Sequence, residues 1–232
     1  MKTLIVIPTY NEKENIQNII PAVLGQNLGV DILVVDDNSP DGTGAVVREM
    51  QKKYPQIHLL SRPGKQGLGK AYIAGFRWGL DQGYEALTEM DADFSHRPED
   101  LGPLLQKLQS HDFAVGSRYI EGGRTVNWGI LRKIISRGGG LYARFILGFP
   151  LNDWTGGFNA WKREVLHAID LSGVESNGYS FQIELKYKAL RKGFRGAESP
   201  IVFEDRRVGQ SKMSMKIVIE AFYRVWLMRF KK

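Results

Sequence analysis

The sequence predicts an α/β fold: a mostly parallel sheet flanked by helices, followed by a C-terminal amphipathic helix. Three observations carry this. Short apolar runs recur through the first half without the polar alternation of a half-exposed strand, the pattern of parallel strands buried on both faces. Stretches of helical spacing separate them, so the chain repeats β-α-β, a unit that closes into a parallel sheet through right-handed crossovers. Polar or acidic clusters follow three of the runs, and in such sheets ligands bind at the carboxyl ends of the strands.

In chain order, TLIVIP opens the sheet and PTYNE follows it. Helical spacing over 12–24 leads to DILVVDD, whose end carries DDNSPDGT. A helix over 42–53 precedes the strand IHLLS, and GKQGLGKA then opens a helix over 69–82. YEALTEMD is the fourth strand, ending in MDADFSH with Asp91 and Asp93 two residues apart. Pro98, Glu99 and Asp100 start a helix over 98–109, where a missing N–H does no harm and acids meet the positive end of the dipole. FAVGS is the fifth strand. The clusters after strands one, two and four are therefore expected to meet in one cleft.

Beyond residue 118 the rhythm fades. RYIEGGRTVNWG reads as a mobile loop, and ILRKIISRGGGLYARFILGF as a helical pattern weakened by Gly138–Gly140. DWTGGFNAWKREVL is a turn leading into a short strand and helix, and SFQIELKYKALRKG an amphipathic helix ending at Gly193. We divide the chain into a domain over 1–212 and a helix over 213–232.

The chain has 232 residues and no cysteine, which excludes disulfides and thiolate-held zinc or iron–sulfur centres. Its net charge of +7 is unevenly spread. Residues 1–116 hold 11 Lys/Arg against 15 Asp/Glu, a net of −4, and residues 117–232 hold 21 against 10, a net of +11. This suits a metal-binding half and an anion-binding half; a plain solvated surface is the other reading. No RNP-type motif, basic arm or dense Lys/Arg run points to nucleic acid. MKTLIVIPTYNE lacks a small-residue cleavage site, so no signal peptide is expected. No apolar run reaches the roughly 18 residues of a transmembrane helix.

Two local motifs fail on inspection. Asp91, Asp93 and Ser95 alternate like calcium-loop ligands, but His96 and Gly102 stand where an EF-hand needs Gly and Glu. Gly64, Gly69 and Lys70 approach a phosphate loop, but Ala71 replaces its Ser/Thr and the loop follows the third strand.

VIPTYNE, VVDDNSPDGT, GLGKAYIAGF, EMDADFSHRPEDL, GSRY and DRRVGQSKMS, in this order, span about residues 3 to 215. They resemble the family 2 glycosyltransferases of GT-A (Rossmann-like) fold, and more narrowly the dolichol- or polyprenol-phosphate mannosyltransferases. The resemblance implies inverting transfer of mannose from GDP-mannose to a polyprenyl or dolichyl phosphate, with Mg2+ or Mn2+. It assigns Asp91 and Asp93 to the cation and the diphosphate–sugar end, with Ala92 between them and Ser95 at a third ligand position. A cation held by carboxylates neutralises the charge that the departing diphosphate gathers. Pro8, Tyr10, Glu12, Val35 and Asp37 match the nucleoside pocket. Arg118, Arg206 and Lys212 match positions that meet the donor diphosphate or the acceptor phosphate, Arg being suited by its planar fork. Arg132 and Ser136, one helical turn apart, offer a second anion site for the lipid phosphate; a solvated helix face is the alternative. A phosphate monoester is already anionic near neutral pH, so none of the four His needs to act as a base.

Over MSMKIVIEAFYRVWLMRFKK, Lys216, Glu220 and Arg224 make a narrow polar stripe, and apolar residues cover the rest. That arc is wider than a surface helix needs. It fits a helix lying on a membrane surface, or docked on a small membrane-anchoring subunit, at the cytoplasmic face; burial against the sheet is the other reading. Two other functions stay open at this stage: a glycosyltransferase with another donor such as UDP-glucose, and a non-enzymatic, basic, membrane-associated binding module.

Overall fold

The computed structural model describes residues 1–174, 176, 178–204 and 215–230. The expected parallel core is present. β1 (Thr3–Thr9), β2 (Asp31–Asp36), β3 (Ile57–Ser61) and β4 (Ala86–Glu89) alternate with α1 (Lys13–Leu24), α2 (Thr43–Gln51) and α3 (Leu68–Asp81). α4 (Leu101–Gln106), between short 3₁₀ turns, leads to β5 (Phe113–Ser117). There follow β6 (Arg124–Val126), α5 (Ile130–Leu147), β7 (Asn159–Lys162), α6 (Arg163–Ala168), α7 (Tyr179–Arg191), β8 (Gly196–Pro200), β9 (Val202–Glu204) and α8 (Met215–Phe230).

The main sheet runs β3-β2-β1-β4-β7-β5-β8. β1 pairs in parallel with β2 and β4, β2 with β3, and β5 with β8, while β7 lies antiparallel between β4 and β5. The apolar runs lack alternation because both faces are covered. Successive side chains of a strand point to opposite faces: Leu4 and Val6 join Tyr72 and Phe76 of α3 on one side, and Ile5 and Ile7 join Ile16 and Ile20 of α1 on the other. α3 lies close to the sheet because Gly79 brings no side chain there; a Cβ on it would stand 2.8 Å from Leu4 Cδ2.

Strand order reverses at β1, whose neighbours β2 and β4 lie on opposite sides. That is the switch point where a crevice opens at the carboxyl edge. The antiparallel β7 adds something the βα rhythm does not foretell. It begins where its neighbours end, so the turn before it arrives at the same edge.

The second half differs from the sequence reading in three places. α5 runs unbroken through Gly138–Gly140, because burial of Ala143 and Leu147 against Trp154 and the rest of the core outweighs the glycines' poor propensity. The segment read as a mobile loop contains β6, which pairs with β9. β8 and β9 were not expected, since GAESPIVFE carries Gly, Pro and acids in place of a β-branched run. The domain boundary at 212/213, and Arg206 and Lys212, lie outside the described residues.

Candidate active site

At the carboxyl edge a cavity of about 370 Å³ opens. Its wall includes Pro8 near the end of β1 with Tyr10 and Glu12 beyond it, Asp37 after β2, Asp91, Ala92, Asp93, Ser95 and His96 after β4, and Arg118 after β5. The three polar clusters do converge, and a fourth strand end joins them.

On the β1–β2 side the two aspartates divide the work. Asp36 accepts bonds from Thr9 Oγ1 (2.9 Å), Ser39 Oγ (2.6 Å) and the Ser39 N–H (3.1 Å), tying the ends of β1 and β2 together. Asp37 reaches the cavity wall and pairs with Arg62 Nη1 at 2.8 Å. Burial pushes its carboxyl up, and Arg62 opposes that shift. Lys65 Nζ stands 4.4 Å from the centre of the Tyr10 ring, and Glu12 accepts a bond from Asn15 Nδ2 at 2.7 Å.

After β4 the chain turns sharply. Phe94 takes φ +61°, a costly conformation for a bulky residue, and the Ser95 N–H donates to Asp93 Oδ1 at 3.1 Å. Asp91 is fixed from two sides. Tyr72 OH donates to its Oδ1 (3.1 Å), and its own N–H donates to His96 Nδ1 (3.0 Å). Burial, then the Asp91 charge, raise the Tyr72 phenol well above its usual range, so it stays a donor. His96 accepts at Nδ1, stacks on Phe158 and is held down in pKa by burial; it is a neutral brace for the Asp91 backbone. Ser95 Oγ is buried with no hydrogen-bond partner among the described residues. Two carboxylates and an unsatisfied hydroxyl at one turn fit an oxygen-seeking divalent cation. Among the described residues no three His, Cys, Asp or Glu side chains cluster to hold a metal by themselves.

Opposite stands Arg118. Its Nε and Nη2 donate to Asp153 Oδ2 and Oδ1, each at 2.7 Å, its backbone N–H donates to Oδ2 at 3.0 Å, and Nη2 also donates to Thr155 Oγ1 at 2.9 Å. Asp153 is completely buried. Burial alone would raise its pKa; the Arg118 charge and bonds, with Lys186, outweigh that and hold it below 3.8. Trp128 also lines the cavity. The Arg118 guanidinium lies 5.4 Å from the centre of its ring and that of Arg132 3.9 Å. Beneath them Lys186 Nζ, fully buried, donates to the carbonyls of Asp153 (3.1 Å), Trp154 (3.1 Å) and Gly156 (2.8 Å). Glu89, also fully buried, accepts from Trp161 Nε1, Asn159 Nδ2 and Gln182 Nε2. Burial raises the Glu89 pKa and lowers that of Lys186.

The residues named from the sequence divide accordingly. Pro8, Tyr10, Glu12, Asp37, Asp91, Ala92, Asp93, Ser95, Arg118 and Arg132 line one cavity. Val35 is wholly buried in the apolar core, and Ser136 Oγ accepts a bond from Tyr119 OH at 2.7 Å; neither is on the cavity wall. Tyr72, Trp128, Asp153, Thr155, Gln182 and Lys186 escaped the sequence reading. Only Asp153 left a usable signal, an acid at the head of a Thr-Gly-Gly turn entering a strand.

Residues 4–170 match the model of glycosyl transferase family 2. The polyprenol monophosphomannose synthase of Mycolicibacterium smegmatis is 49% identical over 97% of this chain and 85% of its own. The undecaprenyl-phosphate mannosyltransferase of Micrococcus luteus is 48% identical over 97% of this chain and 93% of its own. The dolichol-phosphate mannosyltransferase of Pyrococcus furiosus is 35% identical over 95% of this chain and 61% of its own. Among solved structures, glucosyl-3-phosphoglycerate synthase from Mycobacterium tuberculosis, with Mn2+, UDP and glucosyl-3-phosphoglycerate, superposes with a TM-score of 0.67 at 16% identity, covering 98% of this chain and 79% of that one. A mannosyltransferase from Pyrobaculum calidifontis with GDP-Man and Mn2+ gives 0.63 at 15% identity, over 99% and 70%. The fold they share with this chain is GT-A.

Proposed function

The chain belongs to glycosyl transferase family 2, and we propose that it transfers mannose from GDP-mannose to a polyprenyl phosphate with inversion at the anomeric carbon. One observation carries the reading from family to reaction: the Asp91–Asp93 turn and the Arg118 guanidinium share one cavity. That supports a site for two phosphate-bearing substrates. Pro8, Tyr10, Glu12 and Asp37 hold the nucleoside, and Asp37 supplies an acceptor for guanine or ribose donors. Asp91, Asp93 and Ser95 would hold a Mg2+ or Mn2+ ion, which when bound offsets the charge gathering on the diphosphate.

The chemistry asks little else of the protein. An oxygen of the lipid phosphate attacks the anomeric carbon from the face opposite the diphosphate. The new C–O bond forms as the bond to GDP breaks, and GDP leaves with the electron pair. The nucleophile is already anionic, so no residue takes a proton. Arg118, with Arg132 beside it, orients the phosphate by charge. Rate comes from alignment and from fixed charge in a partly dry site. Arg206 and Lys212 are proposed to add further positive charge there.

The isoprenoid substrate places the reaction at a membrane. No described helix is long and apolar enough to cross one. We assign the protein to the cytoplasmic face, lying on the surface through α8 or docked on a small membrane subunit. The test is a panel of nucleotide sugars with Mn2+ or Mg2+ and a short-chain polyprenyl phosphate, followed by lipid extraction. GDP-mannose should give a lipid-linked sugar, and EDTA should abolish it. Product from UDP-glucose alone would overturn the donor, and product from no donor would overturn the reaction.

A further inference from the structure

Lys186, on α7, is an unusual core residue: a Lys side chain that is completely buried, with the charges of Asp153, Glu89, Arg118 and Glu198 acting on it. Taking an ammonium out of water costs several kcal/mol unless its donors are matched. Here they are: three N–H donors face three carbonyls, all from one short turn, those of Asp153, Trp154 and Gly156. The same turn is closed from within, since the Gly156 N–H donates to Asp153 Oδ1 at 2.9 Å. Glu198, on β8, accepts the backbone N–H of Asp153 at 3.0 Å. Asp153 in turn accepts three bonds from Arg118, and Arg118 is at the cavity wall.

We propose that Lys186 is a positioning residue for transfer: from inside the core its ammonium clamps the 153–156 turn, and Asp153 of that turn sets the Arg118 guanidinium at the cavity. It touches no substrate. Its effect on the reaction passes through Arg118. The inference rests on reading the cavity as the transfer site.

A double-mutant cycle tests it. Lys186→Met keeps the side-chain volume and removes the donors; Arg118→Lys keeps a charge and removes the fork. Lys186→Met should lower kcat/KM about 10-fold or more, as small misplacements in an active site do. The loss should appear as a raised KM for the same phosphate-bearing substrate whose KM rises in Arg118→Lys. The double variant should fall within about twofold of Arg118→Lys alone, because coupled residues are not additive. If the two losses multiply, or if Lys186→Met lowers kcat alone in proportion to lost folded protein, Lys186 is only structural and the proposal falls. Should Lys186→Met fail to fold, Lys186→Gln, which keeps part of the donor set, enters the same cycle with a smaller loss expected; that loss should still vanish beside Arg118→Lys, and losses that multiply overturn the proposal. A wild-type protein that transfers no sugar would overturn the reaction assigned to the site. A working wild type with multiplicative losses would overturn only the relay.

Discussion

Asp153 shows how one buried carboxylate ties stability to the site. Both oxygens are taken up by Arg118 and the Gly156 N–H, and the side chain is fully buried. Removing one partner of such a pair leaves an uncompensated charge and costs about 3–5 kcal/mol. The pH dependence follows from the direction of its shift. The folded pKa lies below the ordinary value of 3.8, so the stability from this group is fully present above that value. It is lost as pH falls through the lower folded pKa. Urea midpoints measured from about pH 5 down to 2 should therefore decline for the wild type. In Asp153→Asn the midpoint should start lower, and the part of the decline due to this carboxylate should be missing. An Asn variant with the wild-type slope would show that Asp153 is not the group that titrates. Asp91 is held differently: Tyr72 OH donates to its carboxylate and its backbone N–H donates to His96 Nδ1.

At the scale of the element, α5 sets local propensity against tertiary packing. A Cβ at Gly138 or Gly139 would meet nothing within 4 Å, whereas one at Gly140 would stand 3.2 Å from the Asn152 carbonyl oxygen. Gly inside a helix costs roughly 0.5–1 kcal/mol relative to Ala. Gly138→Ala and Gly139→Ala should each raise stability by about that amount, with Gly140→Ala gaining less or losing, as read by chemical denaturation. Equal gains at all three would show that Asn152 moves aside freely. The same contrast explains which elements were legible. β1, β2 and β5 announce themselves as apolar runs because both their faces are buried, and polar clusters mark the edge at which β1, β2 and β4 end. β8 and β9 do not, since their pairing with β5 and β6 is decided by neighbours far away in sequence. Asp91 and Asp93 could be placed at the shared edge because they follow a strand, whereas Arg118, which lines the same cavity, was named on the family resemblance. Lys186 was not: in an amphipathic helix a Lys reads as solvent-facing, and only the packed structure turns it inward.

For the whole molecule, the distribution of exposed apolar surface bears on how the protein would meet the lipid phosphate proposed as its acceptor. Nine of the thirteen large apolar side chains exposed among the described residues belong to two helices, α5 and α8. These pack on each other, with Tyr142 stacked on Phe222 at 3.8 Å. On α8, Val225 is buried while Tyr223, Trp226, Leu227 and Phe230 stay exposed, so over 222–230 the helix is not sunk against the sheet. α5 brings Arg132, Lys133, Arg137 and Arg144 and no acid, and the second half of the chain is net +11. An apolar surface edged with positive charge is drawn to anionic headgroups and held by burial of its side chains. Burying one such residue is worth roughly 1.5–3 kcal/mol, so the double variant Trp226→Glu/Leu227→Glu should weaken co-sedimentation with anionic vesicles at least 10-fold. Transfer to a short-chain, water-soluble polyprenyl phosphate should change by no more than about twofold, because neither side chain lines the cavity. Wild-type binding should weaken as salt rises, in step with screening over a Debye length of about 10 Å at 0.1 M. Unchanged vesicle binding in the double variant would move the anchor from α8 to α5 or to a separate membrane subunit. Lost transfer to the soluble acceptor would mean that α8 guides the lipid phosphate into the cavity as well as holding the protein at the surface.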